Sequence, residues 1–172
     1  METIRIRKAT INDCESLLEI GKITFSETFA STNSEGNMKD YLAKNFSKAN
    51  LTLEINNPLS EFYLAFLEER VIGFLKVNFG KAQTEIQDEK GIELERIYVL
   101  NEFHGKKIGQ LLLDKALQIA RNNKSQYLWL GVWENNFKAL KFYEKNWFYV
   151  FDKHIFTLGT DEQTDLLMKI DL

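Results

Sequence analysis

The 172-residue chain has one cysteine, one proline and nine glycines, and each scarcity removes a class of protein. Cys14 alone cannot close an internal disulfide; its place in an amphipathic run marks a small buried hydrophobe and fits a reducing compartment. So little proline and glycine leaves no low-complexity linker, and 44% hydrophobic with 27% charged residues is globular composition. No run approaches ~18 consecutive apolar residues, and METIRIRKAT alternates apolar with charged residues, so no membrane span or secretion signal is expected and the location should be cytoplasmic. Twenty-two basic against 25 acidic residues give a net charge of −3, without the positive field that holds a nucleic acid. His104 and His154 have no metal-ligand spacing with each other or with Cys14; they read as surface or loop histidines, and no metal is expected.

What is present suits one compact unit, and the expectation is a single domain over residues 1–172. Ile4 and Ile6 alternate with Arg5 and Arg7 as in a half-buried strand. Thr10 with Asp13 makes a capping box, so a helix should start near Asn12. Leu17, Leu18, Gly21, Thr24, Phe25, Thr28 and Phe29 recur at helical spacing, and a second helix should run through Met38, Tyr41, Leu42 and Phe46 after the polar stretch from Ser31 to Ser34. EFYLAFLE and VIGFLKVNF read as a hairpin turning around Glu69 and Arg70.

After the polar connection KAQTEIQDEKG the order is strand from Ile92 to Leu100, loop from Asn101 to Lys107, helix from about Ile108 to Asn122, strand from Tyr127 to Trp133 and helix from about Asn135 to Asn146. Strands from Phe148 to Phe156 and Thr164 to Ile170 close the chain around the loop LGTDEQ. The fold class is therefore α/β: a mixed, largely antiparallel twisted sheet of about seven strands with helices on both faces. The aromatics Trp129, Trp133, Phe142 and Trp147 read as packing.

Chemistry becomes legible where the strand ending ERIYVL meets the loop NEFHGKK and a helix. Free N–H groups at a helix start bind anions, Gly105 and Gly109 allow a tight turn, and Lys106 and Lys107 add positive charge. Strand, glycine loop and helix also occur as plain structural turns, so the pattern by itself leaves both readings open. The absence of G-x-x-x-x-G-K-[ST] argues against a nucleotide triphosphatase.

FHGKKIG after LERIYVL resembles the acetyl-CoA loop of the GNAT N-acetyltransferase superfamily, Q/R-x-x-G-x-G/A, with His104 at the first position, Lys107 at the first glycine and Gly109 at the last. Lys107 is compatible there if it has helical dihedrals. ENNFKALKFYEKNWF is similar to the family's N-x-x-A-x-x-F-Y-x-x-x-G-F through Asn136, Ala139, Phe142, Tyr143 and Phe148. Trp147 stands at the expected glycine, and Asn146 is expected to take over the cap. TFSETF, LERIYV, WLGVWENN, FYEKNWF and DEQTDLLM extend the likeness along the chain and look closest to the PaiA-type spermidine and spermine N-acetyltransferases.

The resemblance implies the GNAT acyl-CoA N-acyltransferase fold, acetyl-CoA as cosubstrate and a small polyamine as acceptor. It places the cofactor against Ile97, Tyr98 and Val99 as an added pseudo-strand, against the loop residues His104, Gly105, Lys106, Lys107, Ile108, Gly109 and Gln110, and against Asn136 and Tyr143. It also implies Glu95 as general base, often through water, and Tyr143 as the acid that protonates the leaving thiolate. Read as residues alone, Glu95 is a solvated strand carboxylate paired with a nearby arginine or lysine and Tyr143 a core aromatic; the resemblance favours the catalytic role for Glu95. The substrate amine is expected near Glu27, Glu35 and Asp40. The competing functions are a protein N-terminal or lysine acetyltransferase and a non-catalytic acetyl-CoA-binding regulator. The assembly is a monomer or homodimer, without nucleic acid or membrane.

Overall fold

The computed structural model describes residues 3–172, apart from the Phe156 side chain. Met1 and Glu2, which open the alternating N-terminus, lie outside the described residues. Seven strands form one sheet in the order β1-β2-β3-β4-β5-β7-β6: β1 Ile4–Lys8, β2 Ser60–Leu67, β3 Arg70–Phe79, β4 Gly91–Val99, β5 Tyr127–Trp133, β6 Tyr149–Leu158 and β7 Asp161–Asp171. Every neighbouring pair is antiparallel except β4 with β5. That parallel pair is joined by helix α4, Ile108–Asn122, as a parallel connection requires. The other helices are α1 Cys14–Phe29, α2 Glu35–Asn45, α3 Lys48–Asn56 and α5 Phe137–Lys145.

Strand β3 shows which helices lie on which face. A Cβ at Gly73 would sit 3.3 Å from Leu112 Cδ1 of α4, whereas Lys76, of opposite parity, reaches Glu54 of α3. Residues of opposite parity point to opposite faces, so α3 and α4 cover different sides of the sheet. The core is Leu64, Ile72, Leu75, Ile92, Leu112, Leu113 and Leu128 with their neighbours, all drawn from these layers.

Helix α1 begins as its capping box requires: the Thr10 N–H donates to Asp13 Oδ2 at 2.8 Å, a 3₁₀ turn covers Ile11–Asp13, and Cys14 is buried. Helix α3 is an element the pattern did not announce. Leu51, Leu53 and Ile55 alternate with period two, yet Ser47 caps a helix there through Asn50 N, Leu51 is buried, and Leu53 is left 73% exposed. The last two strands are longer than expected: β6 runs to Leu158 and β7 starts at Asp161, so the loop LGTDEQ shrinks to a turn at Gly159, whose φ is +63°. Polar residues there alternate on a strand pair near the sheet's edge, where water tolerates them.

Candidate active site

The site follows from a failure of two strands to stay together. β4 pairs with β5 only from Gly91 to Glu93, opposite Tyr127 to Trp129; beyond that the two strands run on without pairing. A cavity of about 400 Å³ occupies this splay and is lined by β4 and β5, by α1 and α2 through Phe25, Phe29 and Tyr41, and by α5 through Ala139 and Tyr143.

Backbone polarity in the splay is set by β3. Leu100 N–H donates to Ile72 O, so strand alternation turns the N–H and C=O groups of Tyr98 toward β3 and those of Ile97 and Val99 toward the gap. An extended amide chain laid in the gap meets those groups as a neighbouring strand would.

At the mouth of the splay, Asn101–Phe103 form a 3₁₀ turn, Gly105 takes φ +80°, and Lys107 precedes α4. The first intrahelical bond is Leu111 N–H to Lys107 C=O at 3.1 Å, so the N–H groups of Ile108, Gly109 and Gln110 lie ahead of it, where a helix start binds anions. These donors fit a pyrophosphate and need no metal. Both ring nitrogens of His104 contact the protein itself: Nε2 lies 2.7 Å from the Val99 carbonyl and Nδ1 2.7 Å from Lys138 Nζ of α5. An Nε2–H donating to the carbonyl leaves Nδ1 to accept from the ammonium.

At the two substituted glycines, the condition set for Lys107 is not met and the expectation for Asn146 is overturned. Lys107 does not have helical dihedrals; it sits at φ +63°, ψ 12°, in the left-handed region that favours glycine. Asn146 does not relieve Trp147, which takes φ +68° itself. The end of α5 has the bonds of a Schellman motif, Phe148 N–H to Tyr143 O and Trp147 N–H to Glu144 O, and that motif puts its left-handed residue at position 147. Asn146 instead donates to Phe142 O and accepts from Gln110 of α4. Trp147 is also not a packing residue, being 82% exposed, while Trp129 is buried as expected.

Glu95 stands at a β-bulge. Lys76 pairs with Arg96 and Val77 with Leu94, so Glu95 is the extra residue on β4, re-aimed so that Glu93, Glu95 and Arg96 all line the cavity. Its carboxylate lies 2.5 Å from Lys76 Nζ and 3.4 Å from Arg96 Nη2, and accepts from Asn78 Nδ2 at 2.6 Å. Burial pushes the Glu95 carboxyl up, but the charges of Arg96 and Lys76 outweigh it and hold the group below the usual carboxylate range. Glu95 is thus paired with a lysine and an arginine, as the strand-carboxylate reading has it, but its side chain is only 19% exposed and lines the cavity.

Tyr143 is 6% exposed, packed on Phe142 and Phe148, and borders the cavity. Burial raises its phenol, so the hydroxyl stays protonated at neutral pH. Asn136 Oδ1 accepts from Ala139 N–H at 3.2 Å as the cap of α5, and the residue also lines the cavity.

The acidic groups expected to attract the substrate are elsewhere. Glu35 and Asp40 do not line the cavity, and Glu27 accepts from Asn101 N–H. The carboxylates that do line it are Glu85, Glu93, Glu95 and Asp165, from β4, β7 and the β3–β4 connection. His154 joins them on β6 and is not a loop histidine: Nδ1 is 2.7 Å from Glu85 Oε2 and Nε2 is 3.8 Å from Asp165 Oδ2. Only the period-two alternation of strands β6 and β7 carried a signal for this cluster, and the partners it brings together are far apart in sequence.

The profile of the Acetyltransferase (GNAT) family matches residues 24–147. An uncharacterised N-acetyltransferase of Lactobacillus delbrueckii subsp. lactis is 36% identical over 169 residues, 98% of each chain. A spermidine N(1)-acetyltransferase of Thermoplasma acidophilum is 33% identical over 156 residues, 87% of this chain and 91% of that one. The crystal structure of the PaiA N-acetyltransferase from Thermoplasma acidophilum in complex with coenzyme A superposes with a TM-score of 0.81 at 30% identity, over 99% of both chains. With its splayed β4 and β5, the free N–H groups at the start of α4 and these relatives, the chain belongs to the GNAT family and is an N-acetyltransferase that draws its acetyl group from acetyl-CoA.

Proposed function

We propose that the acceptor is a primary amine of a small polycation of the spermidine or spermine type. The observation that carries this reading is the lining of the cavity: Glu95 and Arg96 belong to a balanced set with Lys76 and Glu54, while Glu85, Glu93 and Asp165 face the cavity in addition, with the His154 imidazole as their basic neighbour. A cavity with this excess of carboxylates favours a polycation over a neutral or acidic acceptor. The Thermoplasma relative named as a spermidine N(1)-acetyltransferase supports the same class.

Acetyl-CoA supplies a thioester whose thiolate leaves as the amide forms. The residues of this chain divide the remaining work. The N–H groups at the start of α4, within the segment His104 to Gln110, hold the pyrophosphate. The gap-facing polar groups of Ile97 and Val99, beside Tyr98, hold the pantetheine chain, and a gap-facing N–H there stabilises the oxyanion.

An alkyl ammonium with a pKa of about 10 must lose a proton before it attacks. Glu95 is ionised and so in the form that accepts one, directly or through water. Its pairing with Lys76 and Arg96 makes it a weak base that holds the proton briefly. Tyr143, a buried and neutral phenol, protonates the departing thiolate.

The test is thiol release from acetyl-CoA over a panel of polyamines, amino acids and peptides. Polyamines should be the best acceptors; a peptide or amino acid outrunning every polyamine overturns the acceptor class. Tyr143→Phe should lower kcat by about 10²-fold with little change in CoA affinity, and Glu95→Gln should lower kcat/KM near neutral pH and steepen its rise with pH, because the variant depends on amine already deprotonated in solution. Unchanged rates in both variants would sink the assigned roles.

A further inference from the structure

The cavity does not end at the splay. Gly131 lies on β5, a strand paired on one side to β7, and although its neighbours Leu130 and Val132 are buried, Gly131 itself is exposed and borders the cavity. A Cβ built there would stand 3.6 Å from Asp165 Oδ2 and 3.9 Å from His154 Cε1. A bare glycine in a strand interior marks a place where something approaches the backbone closely. Here it leaves an open floor between the splay, where acetyl transfer takes place, and a charged cluster farther along the sheet.

That cluster is assembled from three elements. His154 and Asp165 are direct partners across the β6–β7 pair, and Glu85 reaches the imidazole from the β3–β4 connection. Two carboxylates thus share one imidazole. The cations Lys76 and Arg96 are engaged by Glu54 and Glu95, so they do not balance the cluster. Burial pushes the Asp165 carboxyl up to about 6, which is the response of a carboxyl that lacks a full counter-charge.

We infer that the floor at Gly131 and the Glu85, His154 and Asp165 cluster form the specificity-determining end of the acceptor site, where a second ammonium group of a di- or polyamine binds while the first is acetylated. This rests on the reading of the acceptor as an amine. The arrangement fits: the splay lies on the β4 side of β5 and the cluster reaches Gly131 from the β7 side, so a methylene chain lying over Gly131 places the two ammonium groups on opposite sides of β5. The second ammonium supplies Glu85 and Asp165 with the counter-charge that Lys76 and Arg96, engaged by Glu54 and Glu95, do not supply. A monoamine of the same length leaves those carboxylates unpaired.

The experiment is thiol release with three matched linear acceptors, an n-alkylamine, the α,ω-diamine of the same chain length and a triamine, at fixed ionic strength. The quantity read is the ratio of kcat/KM for each polyamine to that for the monoamine. A ratio cancels losses of active protein, so a partly misfolded variant remains informative. The wild-type ratio should be tenfold or more, about the effect of one partly buried charge pair. Asp165→Asn and Glu85→Gln should each lower it by about tenfold, mainly through KM. Gly131→Val should lower it sterically, and Gly131→Ala less, because a Cβ there makes only ordinary contacts.

A wild-type ratio of tenfold or more that none of the variants moves overturns this inference while leaving the polycation reading intact. A wild-type ratio near one, with the monoamine acetylated, overturns both and leaves only an amine acetyltransferase. Absence of thiol release with every amine overturns both readings.

Discussion

The Lys76 ammonium lies 2.7 Å from Glu54 Oε2, binding strand β3 to helix α3 in the interior, and the same ammonium holds Glu95 at 2.5 Å. With Arg96, these residues make a closed set of two cations and two carboxylates beside the cavity. Lys76→Met leaves one carboxylate in excess there. Breaking a buried pair from one side costs about 3 kcal/mol or more, so the urea midpoint should fall accordingly. The acid limb of kcat/KM should also move to higher pH, because Glu95 loses a cation that keeps it ionised. A loss below about 1 kcal/mol would show that the network contributes little net stability.

Lys107 and Trp147 are the two glycine positions of the family pattern, and both hold positive φ with a side chain attached. The left-handed region costs a non-glycine residue about 1–2 kcal/mol, partly offset by the greater chain entropy that glycine loses on folding. Lys107→Gly and Trp147→Gly should each stabilise the protein by about 0.5–1 kcal/mol, raising Tm by about 2 °C. Trp147 is exposed and forfeits little packing. A lower Tm in both variants would contradict the left-handed assignment.

Asp13 closes the capping box of the 3₁₀ turn that leads into α1 and takes two hydrogen bonds from Arg7 at 2.8 and 2.9 Å. The Arg7 bonds, with Thr10 N–H assisting against desolvation, hold its carboxyl at about 2. A depressed carboxyl contributes stability above its unfolded pKa, near 4, and loses it as pH falls toward 2. Arg7 is 39% exposed, so solvent trims the pair, and Asp13→Asn should cost about 1 kcal/mol at pH 7. The difference in Tm between variant and wild type should shrink as pH is lowered through that window; a constant difference would assign the cost to the cap alone.

Asp165 has the opposite sign. Its folded carboxyl is raised to about 6 by burial, so ionising it costs stability as pH rises from about 4 to about 6, and the cost persists above. Asp165→Asn should therefore stabilise the protein at pH 7.5 by on the order of 2 kcal/mol and change it little near pH 4. Equal effects at both pH values would show that the carboxyl is not perturbed. Stability gained where acceptor discrimination is lost is the trade expected of a residue kept for binding.

Periodicity and caps determined much of this protein. The alternation of Ile4 and Ile6, the capping box of Thr10 and Asp13, the apolar face of α4 and the aromatic strands β2 and β3 are local, and a local pattern survives in any arrangement that buries it. The loop before α4 and the run from Asn136 to Phe148 were legible as a likeness to a family pattern, which consecutive residues carry; strand, loop and helix alone left an anion site and a plain turn both open.

What the tertiary structure alone decided is everything that depends on residues meeting across the sheet. The bulge that turns Glu95 into the cavity is a mismatch of register between β3 and β4, visible in neither strand separately. The left-handed backbone at Lys107 and Trp147 follows from how the loop and the end of α5 must close, which overrides what those side chains prefer. Glu85, His154 and Asp165 are brought together by strand order, and Glu27, Glu35 and Asp40 are kept out of the cavity by helix orientation. Charge in a sequence gives a count; only packing decides which charges share a desolvated space, where Coulomb forces are strong enough to choose a substrate.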